Sequence, residues 1–415
     1  MTTRLMLMFA VMCIGTACED SASTPAPPLD GSPSFRADAA PPPAMDAAPP
    51  PAMDAAPPPV VDAVPPTLDA APPSVDAAPP MTDAAPVADA IPPVDAAPDA
   101  GPDQGPQTLD DCFRRQFVND PQIGPDYEQF APTYGRHCLG TNHQQIEGVE
   151  RVVFVGDSVS VGTPPTDPSQ FYRVRLAQQL AAHFNLTPPD ILWYQVNFLN
   201  SRCLTQESGD FSCCARYGAR TDDLMVDNGL MTECVPPEER NKRTLFIITM
   251  GGNDISNLTQ DGIDGAAPEA LWAQTEAFVQ HMRDAVRWAT TPGRFPNGVY
   301  VVFANMFEFT DGTGDVTACP AAGLAGFGNP WEDPELLTEL VVWANEQFMS
   351  IAIETGTDMI FMLEHFCGHG FNADEPEAPC YRGPGAENWF DFTCIHPTPA
   401  GHAEIARQFM SVVRE

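Results

Sequence analysis

From residue 151 onward the apolar positions of this chain follow two periods that take turns. Unbroken apolar runs end at or beside small residues: Arg151-Val152-Val153-Phe154-Val155 before Gly156, Thr244–Thr249 (TLFIIT), Val299–Phe303 and Met359–Leu363. A further run, 191–198 (ILWYQVNF), has the same character. Short continuous runs rich in β-branched and aromatic residues predict strands that are covered on both faces. Between them, apolar residues recur at helical spacing over 170–184, 268–289, 335–355 and 399–413, which predicts amphipathic helices. This alternation predicts an α/β fold: a three-layer sandwich whose central sheet, about five strands and mostly parallel, lies between helices. Ligands in such sheets bind beyond the carboxyl ends of the strands, so the residues just past each strand are where chemistry is expected.

The first 107 residues follow neither period. Residues 1–18 (MTTRLMLMFAVMCIGTAC) hold one early Arg4, an apolar stretch from Leu5 and small residues before Cys18, which predicts an export signal peptide. The ending Gly15-Thr16-Ala17-Cys18 resembles a bacterial lipobox. That implies lipidation at Cys18 and a membrane anchor, with ordinary cleavage near Ala17 and release as the other outcome. From Asp38 to Asp99 the chain repeats DAAPPPAM, DAAPPPVV, DAVPPTL and DAAPPSV, and roughly half of its 46 prolines lie between residues 20 and 107. Such a segment can bury no core, so residues 19–107 are expected to be a disordered Pro/Ala/Asp-rich stalk, leaving 108–415 as the folded domain. The 20 Lys and Arg against 56 Asp and Glu give a net charge of −36, which argues against a nucleic-acid partner. No apolar run is long enough to span a membrane as a helix.

The cysteines fit an exported chain. Beyond Cys13 and Cys18 there remain 112, 138, 203, 213, 214, 234, 319, 367, 380 and 394, an even set that allows up to five disulfides without revealing their pairing. His365-Phe366-Cys367-Gly368-His369 contains metal-ligating residue types, but no CxxC accompanies it, and no metal or cofactor is expected. Asp311-Gly312-Thr313-Gly314-Asp315 reads as a solvated turn, with a calcium loop as the rarer reading.

Three short blocks carry the chemistry. Gly156-Asp157-Ser158-Val159-Ser160 follows the first strand, Gly251-Gly252-Asn253-Asp254 follows Thr244–Thr249, and His396-Pro397 precedes the last helix. Taken singly, these are a helix cap, a turn and a surface histidine. Together they supply a nucleophile, an oxyanion donor and a general base at one end of one sheet, the parts needed for acyl transfer. In this order they resemble the SGNH/GDSL hydrolase family over about residues 150–415. Gly218, in Tyr217-Gly218-Ala219-Arg220-Thr221, matches that family's second block. The GxSxG elbow of the α/β-hydrolases is missing, because Ser160 stands at its last glycine.

The resemblance implies a flavodoxin-like sheet, an ester substrate, no cofactor and a monomeric exported enzyme. It implies Ser158 as nucleophile and His396 as base, with an oxyanion hole built from the Ser158 N–H, the Gly218 N–H and the Asn253 amide. The family usually places Asp three residues before the histidine, where this chain has Thr393. Asp391 is the favoured third member; another carboxylate or a backbone carbonyl are the alternatives. A disulfide at Cys394 would pin this loop. The rival from another class is a non-catalytic surface module that binds glycans in the same cleft.

Overall fold

The computed structural model describes residues 105–119, 124–225, 229–307, 309–324, 327, 329 and 331–415. The expected signal segment, Cys18 and the repeats up to residue 104 lie outside the described residues. In chain order the first elements are α1 (Leu109–Phe113), β1 (Arg151–Gly156), α2 (Ser158–Val161) and α3 (Tyr172–Phe184). There follow α4 (Ile191–Tyr194), β2 (Val196–Asn197), β3 (Arg202–Cys203), β4 (Glu207–Ser208), β5 (Phe211–Ala215) and α5 (Leu230–Glu233). The second half contributes β6 (Thr244–Thr249), α6 (Gly252–Ile263), α7 (Pro268–Thr290), β7 (Val299–Ala304) and α8 (Pro334–Thr355). It closes with β8 (Asp358–Ile360), α9 (Met362–Phe366) and α10 (Pro399–Arg414).

Six strands form one sheet in the order β4-β5-β1-β6-β7-β8. All neighbours are parallel except the short edge strand β4, which runs antiparallel to β5. Strand side chains alternate between the two faces, and each face has its own core. Val153, Val155, Phe246, Ile248, Val301 and Phe303 pack with α7 and α8. Val152, Phe154, Leu245, Ile247, Val302 and Ile360 pack with α3 and α10. This is the three-layer α/β sandwich expected from the apolar runs. The long helices begin where the sequence provides for it: proline opens α7, α8 and α10, and the Asp333 and Thr398 side chains accept first-turn N–H groups of α8 and α10.

One expected strand is absent. Residues 191–198 do not enter the main sheet: Ile191–Tyr194 is a helical turn, and Val196–Asn197 pairs with Arg202–Cys203 in a separate small sheet. Asp190 is the cause, because its carboxylate accepts the N–H groups of Leu192 (2.9 Å) and Trp193 (3.1 Å) and starts a helix there. The place beside β1 is taken by Phe211–Ala215.

The segment before β1 wraps the opposite edge. Thr141 N–H donates to Met359 O at 2.9 Å and Phe361 N–H to Leu139 O at 3.0 Å, so the edge of β8 is covered. Among the described residues five disulfides join Cys112–Cys138, Cys203–Cys213, Cys214–Cys234, Cys319–Cys394 and Cys367–Cys380. Among the same residues no helix is long and apolar enough to cross a membrane.

Candidate active site

Ser158 is placed by the turn from β1 into α2. A Cβ on Gly156 would stand 2.2 Å from Ser160 Oγ and 2.5 Å from Thr249 O, so only glycine fits where β1 meets β6. Asp157 caps α2 by accepting the Val159 N–H at 2.9 Å. The other end of this one-turn helix is held by Arg173, whose guanidinium donates to Ser160 O (2.9 Å) and Val161 O (3.1 Å). The same group donates to Trp193 O and Tyr194 O and lies 4.3 Å from the centre of the Trp193 indole. Burial lowers its pKa to about 10, which leaves it charged at neutral pH. The Ser160 hydroxyl is spent inside the core, on Tyr172 Oη and Thr249 Oγ1.

His396 comes from a closed loop ahead of α10. Phe390 and Pro397 form an antiparallel bridge, and the Asp391 N–H donates to His396 O at 2.9 Å. At the tip Cys394 adopts a left-handed φ of 74° and is joined to Cys319. The imidazole Nε2 lies 2.9 Å from Ser158 Oγ and its Nδ1 lies 2.7 Å from Thr393 Oγ1. Thr393 in turn donates both its hydroxyl and its N–H to Asp391 Oδ1. The structure therefore brings Ser158 and His396 together and sets Asp391 one hydroxyl away from the imidazole. Burial pushes His396 down to about 4 and Asp391 up to about 6, so at neutral pH the ring is uncharged and the carboxylate is charged.

Asn253 lines the same pocket as Ser158 and reaches the loop that carries Gly218. The Asn253 Nδ2 donates to Ala219 O at 2.9 Å, and Asp254 accepts the N–H and hydroxyl of Thr221, so the first turn of α6 holds the 218–221 loop. Gly218 has φ of +71°, a conformation side chains other than glycine rarely adopt. Among the described residues the N–H groups of Ser158 and Gly218 have no acceptor.

Residues 154–404 match the GDSL-like lipase/acylhydrolase family. The chain belongs to that family. It is a carboxylic ester hydrolase. No curated protein matches the chain. Among solved structures it is similar to a protein from Parabacteroides merdae described as a GDSL-like lipase, at 15% identity and a TM-score of 0.39, covering 65% of this chain and 99% of the other. A gut microbial diltiazem-metabolizing enzyme is similar at 12% identity and a TM-score of 0.39, over 66% of this chain and 49% of that one. A two-domain esterase active on acetylated mannans follows at 14% and 0.33, over 63% and 48%. The chain spans about half the length of the last two.

In this GDSL-family site a small apolar pocket adjoins Ser158, Asn253 and His396. Met250, Ile255, Met306, Phe307, Phe327 and Ile395 line it, and its cavity is about 40 Å³. Met306 and Phe307 stand just past β7, where strand-end reasoning looks for chemistry, although no motif marks them. The remaining candidates serve structure. Cys367 is bonded to Cys380, His365 Nε2 contacts Cys138 O at 2.9 Å, and His369 Nδ1 contacts Glu387 O at 2.7 Å. Among the described residues no three His, Cys, Asp or Glu side chains group as metal ligands. Asp311 turns its carboxylate inward to accept the N–H groups of Gly368, Gly370 and Asn372, so it fastens that loop and does not form a solvated turn.

Proposed function

We propose that this GDSL-family hydrolase removes short acyl groups, acetyl foremost, from O-acyl esters of glycans or small alcohols. The observation that carries the reading is the 2.9 Å contact between His396 Nε2 and Ser158 Oγ, flanked by Asn253. As Ser158 Oγ attacks the ester carbonyl, its proton passes to His396 Nε2. The developing oxyanion is received by the N–H groups of Ser158 and Gly218 and by the Asn253 Nδ2 proton not used on Ala219 O. His396 returns the proton to the departing alcohol, and water then cleaves the acyl-enzyme by the same steps in reverse. The neutral imidazole is what a base needs at pH 7.

The cavity supports a short acyl group. A cavity of about 40 Å³ walled by Met250, Ile255, Met306 and Phe307 beside Ser158 favours a small acyl group over a long chain. The export signal, lipidation at Cys18 and the stalk belong to the same proposal: a monomeric esterase held off a membrane surface by its N-terminal lipid, with no nucleic-acid partner.

Hydrolysis of p-nitrophenyl acetate, butyrate and octanoate by the purified protein tests the reading. Acetate is expected to be turned over fastest, and Ser158→Ala to lower kcat by about 10⁴-fold or more. A protein that neither hydrolyses these esters nor takes up a fluorophosphonate would replace the esterase by the glycan-binding module.

A further inference from the structure

Building on the reading of Ser158 and His396 above, we propose that Thr393 is a positioning residue that couples the Asp391 carboxylate to His396 and fixes the imidazole tautomer able to accept the Ser158 proton. Thr393 Oγ1 stands 2.7 Å from His396 Nδ1 and is also bonded to Asp391 Oδ1. A hydroxyl has one proton to give and lone pairs to accept with. A charged Asp391 takes that proton, so the Thr393 oxygen is left to accept from Nδ1–H, and Nε2 presents its lone pair to Ser158. A protonated Asp391 reverses the chain: it donates to Thr393, Thr393 donates to Nδ1, and Nε2–H then faces Ser158 and cannot act as base.

Three observations favour this role over a purely structural one. The Thr393 N–H is bonded to the same carboxylate oxygen at 2.8 Å, which fixes the side chain, and a β-branched residue has little χ1 freedom to lose. Thr393, Asp391 and His396 are all buried, and Thr393 Oγ1 touches both partners directly. Asp391 Oδ2 is buried without a partner, and among the described residues no other charged side chain acts on this carboxylate. Its charge is therefore directed through Thr393 alone. When Ser158 gives up its proton, Nδ1–H stays on the ring and the Thr393 proton stays on Thr393. Nothing is relayed to Asp391, which only stabilises the imidazolium across one hydroxyl.

Burial holds Asp391 up at about 6, so the productive arrangement fails as the pH falls through that value. The other titratable groups facing the pair are His402 of α10, which is held neutral beside His396, and the buried Asp157 in the same pocket. Arg173 and Arg175 of α3 act on His402 from behind.

The test is p-nitrophenyl acetate hydrolysis by the full chain between pH 4 and 9, for wild type, Thr393→Val, Thr393→Ser and Asp391→Asn. Thr393→Val is expected to lower kcat about 30-fold with KM within about twofold, and Thr393→Ser to restore it to within about threefold. Wild type should lose kcat below about pH 6, and Asp391→Asn should show both the loss of rate and the loss of that acid limb. Asp391→Asn keeps an acceptor for both Thr393 bonds and so the same tautomer at every pH. Its loss of rate reads the missing charge and its lost acid limb reads the missing titration, which decides the matter even if the valine variant does not fold. Wild-type kcat and an unchanged acid limb in either variant would overturn the proposal. A serine variant that folds but stays as slow as valine would do the same. An inactive wild type would instead sink the Ser158–His396 reading on which it rests, and the proposal with it.

Discussion

Replacing Cys319 and Cys394 together by alanine opens a bond between residues 75 apart in sequence. The chain-entropy relation assigns about 4.5 kcal/mol to a closed loop of that size. The Cys367–Cys380 bond lies inside the loop and short-cuts 13 residues, which lowers the figure by only about 0.2 kcal/mol. Cys394 also sits at φ of 74°, where an L side chain costs about 1 kcal/mol and glycine very little. Urea unfolding should therefore show a loss of about 4 kcal/mol for the double alanine variant and about 3 for Cys319→Ala with Cys394→Gly. The functional consequence is separate and testable on protein that is still folded. The bond ties the tip of the 391–396 loop, two residues before His396, to the turn at 316–319. Opening it should lower kcat on p-nitrophenyl acetate by at least about tenfold, since a base displaced by an ångström loses that much or more. A loss below about 1 kcal/mol with wild-type kcat would refute the reasoning. It would mean that the Asp391–His396 and Trp389–Thr398 backbone bonds hold the loop unaided.

Other substitutions probe other links. Arg173→Met leaves four carbonyls of α2 and α4 without their donor and should destabilise the fold by about 3 kcal/mol while slowing Ser158 turnover, both read from urea midpoints and kcat. Phe307→Ala opens the wall of the pocket and should raise the hexanoate-to-acetate ratio of kcat/KM by at least about tenfold; an unchanged ratio would show the acyl group goes elsewhere. Burial raises Asp157 to about 7, well above its unfolded value, so its contribution to stability is fully present below about pH 4 and is lost as the pH rises toward 7. Asp157→Asn should accordingly gain stability relative to wild type at pH 8 compared with pH 5, and equal differences at the two pH values would contradict the placement.

The strands at the centre of the sheet were legible because both their faces are covered and their runs are unbroken. Phe211–Ala215 was not, since FSCCA carries a serine and two cysteines where β-branched residues announce a strand. Its strand character comes from its neighbours and its disulfides. Helix α6 was equally silent: GNDISNLTQDGI is poor in helix formers, and its register is set by Gly251 and by Asp254 gripping Thr221. Ser158, Asn253 and His396, which line one pocket, could be read as candidates because each belongs to a short block at a strand or helix end. Thr393 could be read only as a departure, since its hydroxyl acquires meaning when Asp391 folds back behind it across the loop. The disulfide pairing, the apolar pocket and the carbonyl-bound Arg173 depend on contacts between distant segments that no local pattern records.

The adjacent cysteines of β5 have a consequence for the covalent connectivity of the chain. Cys213 and Cys214 point to opposite faces of the sheet and reach Cys203 and Cys234, so residues 203–213 and 214–234 form two closed rings joined by a single peptide bond. Gly218 lies within the second ring. A protease that cuts once inside either ring releases no fragment, because both new ends remain attached through sulfur. The strand beside β1 and the loop that carries Gly218 thus stay tethered to the sheet after a nick that would detach them from a chain without these bonds.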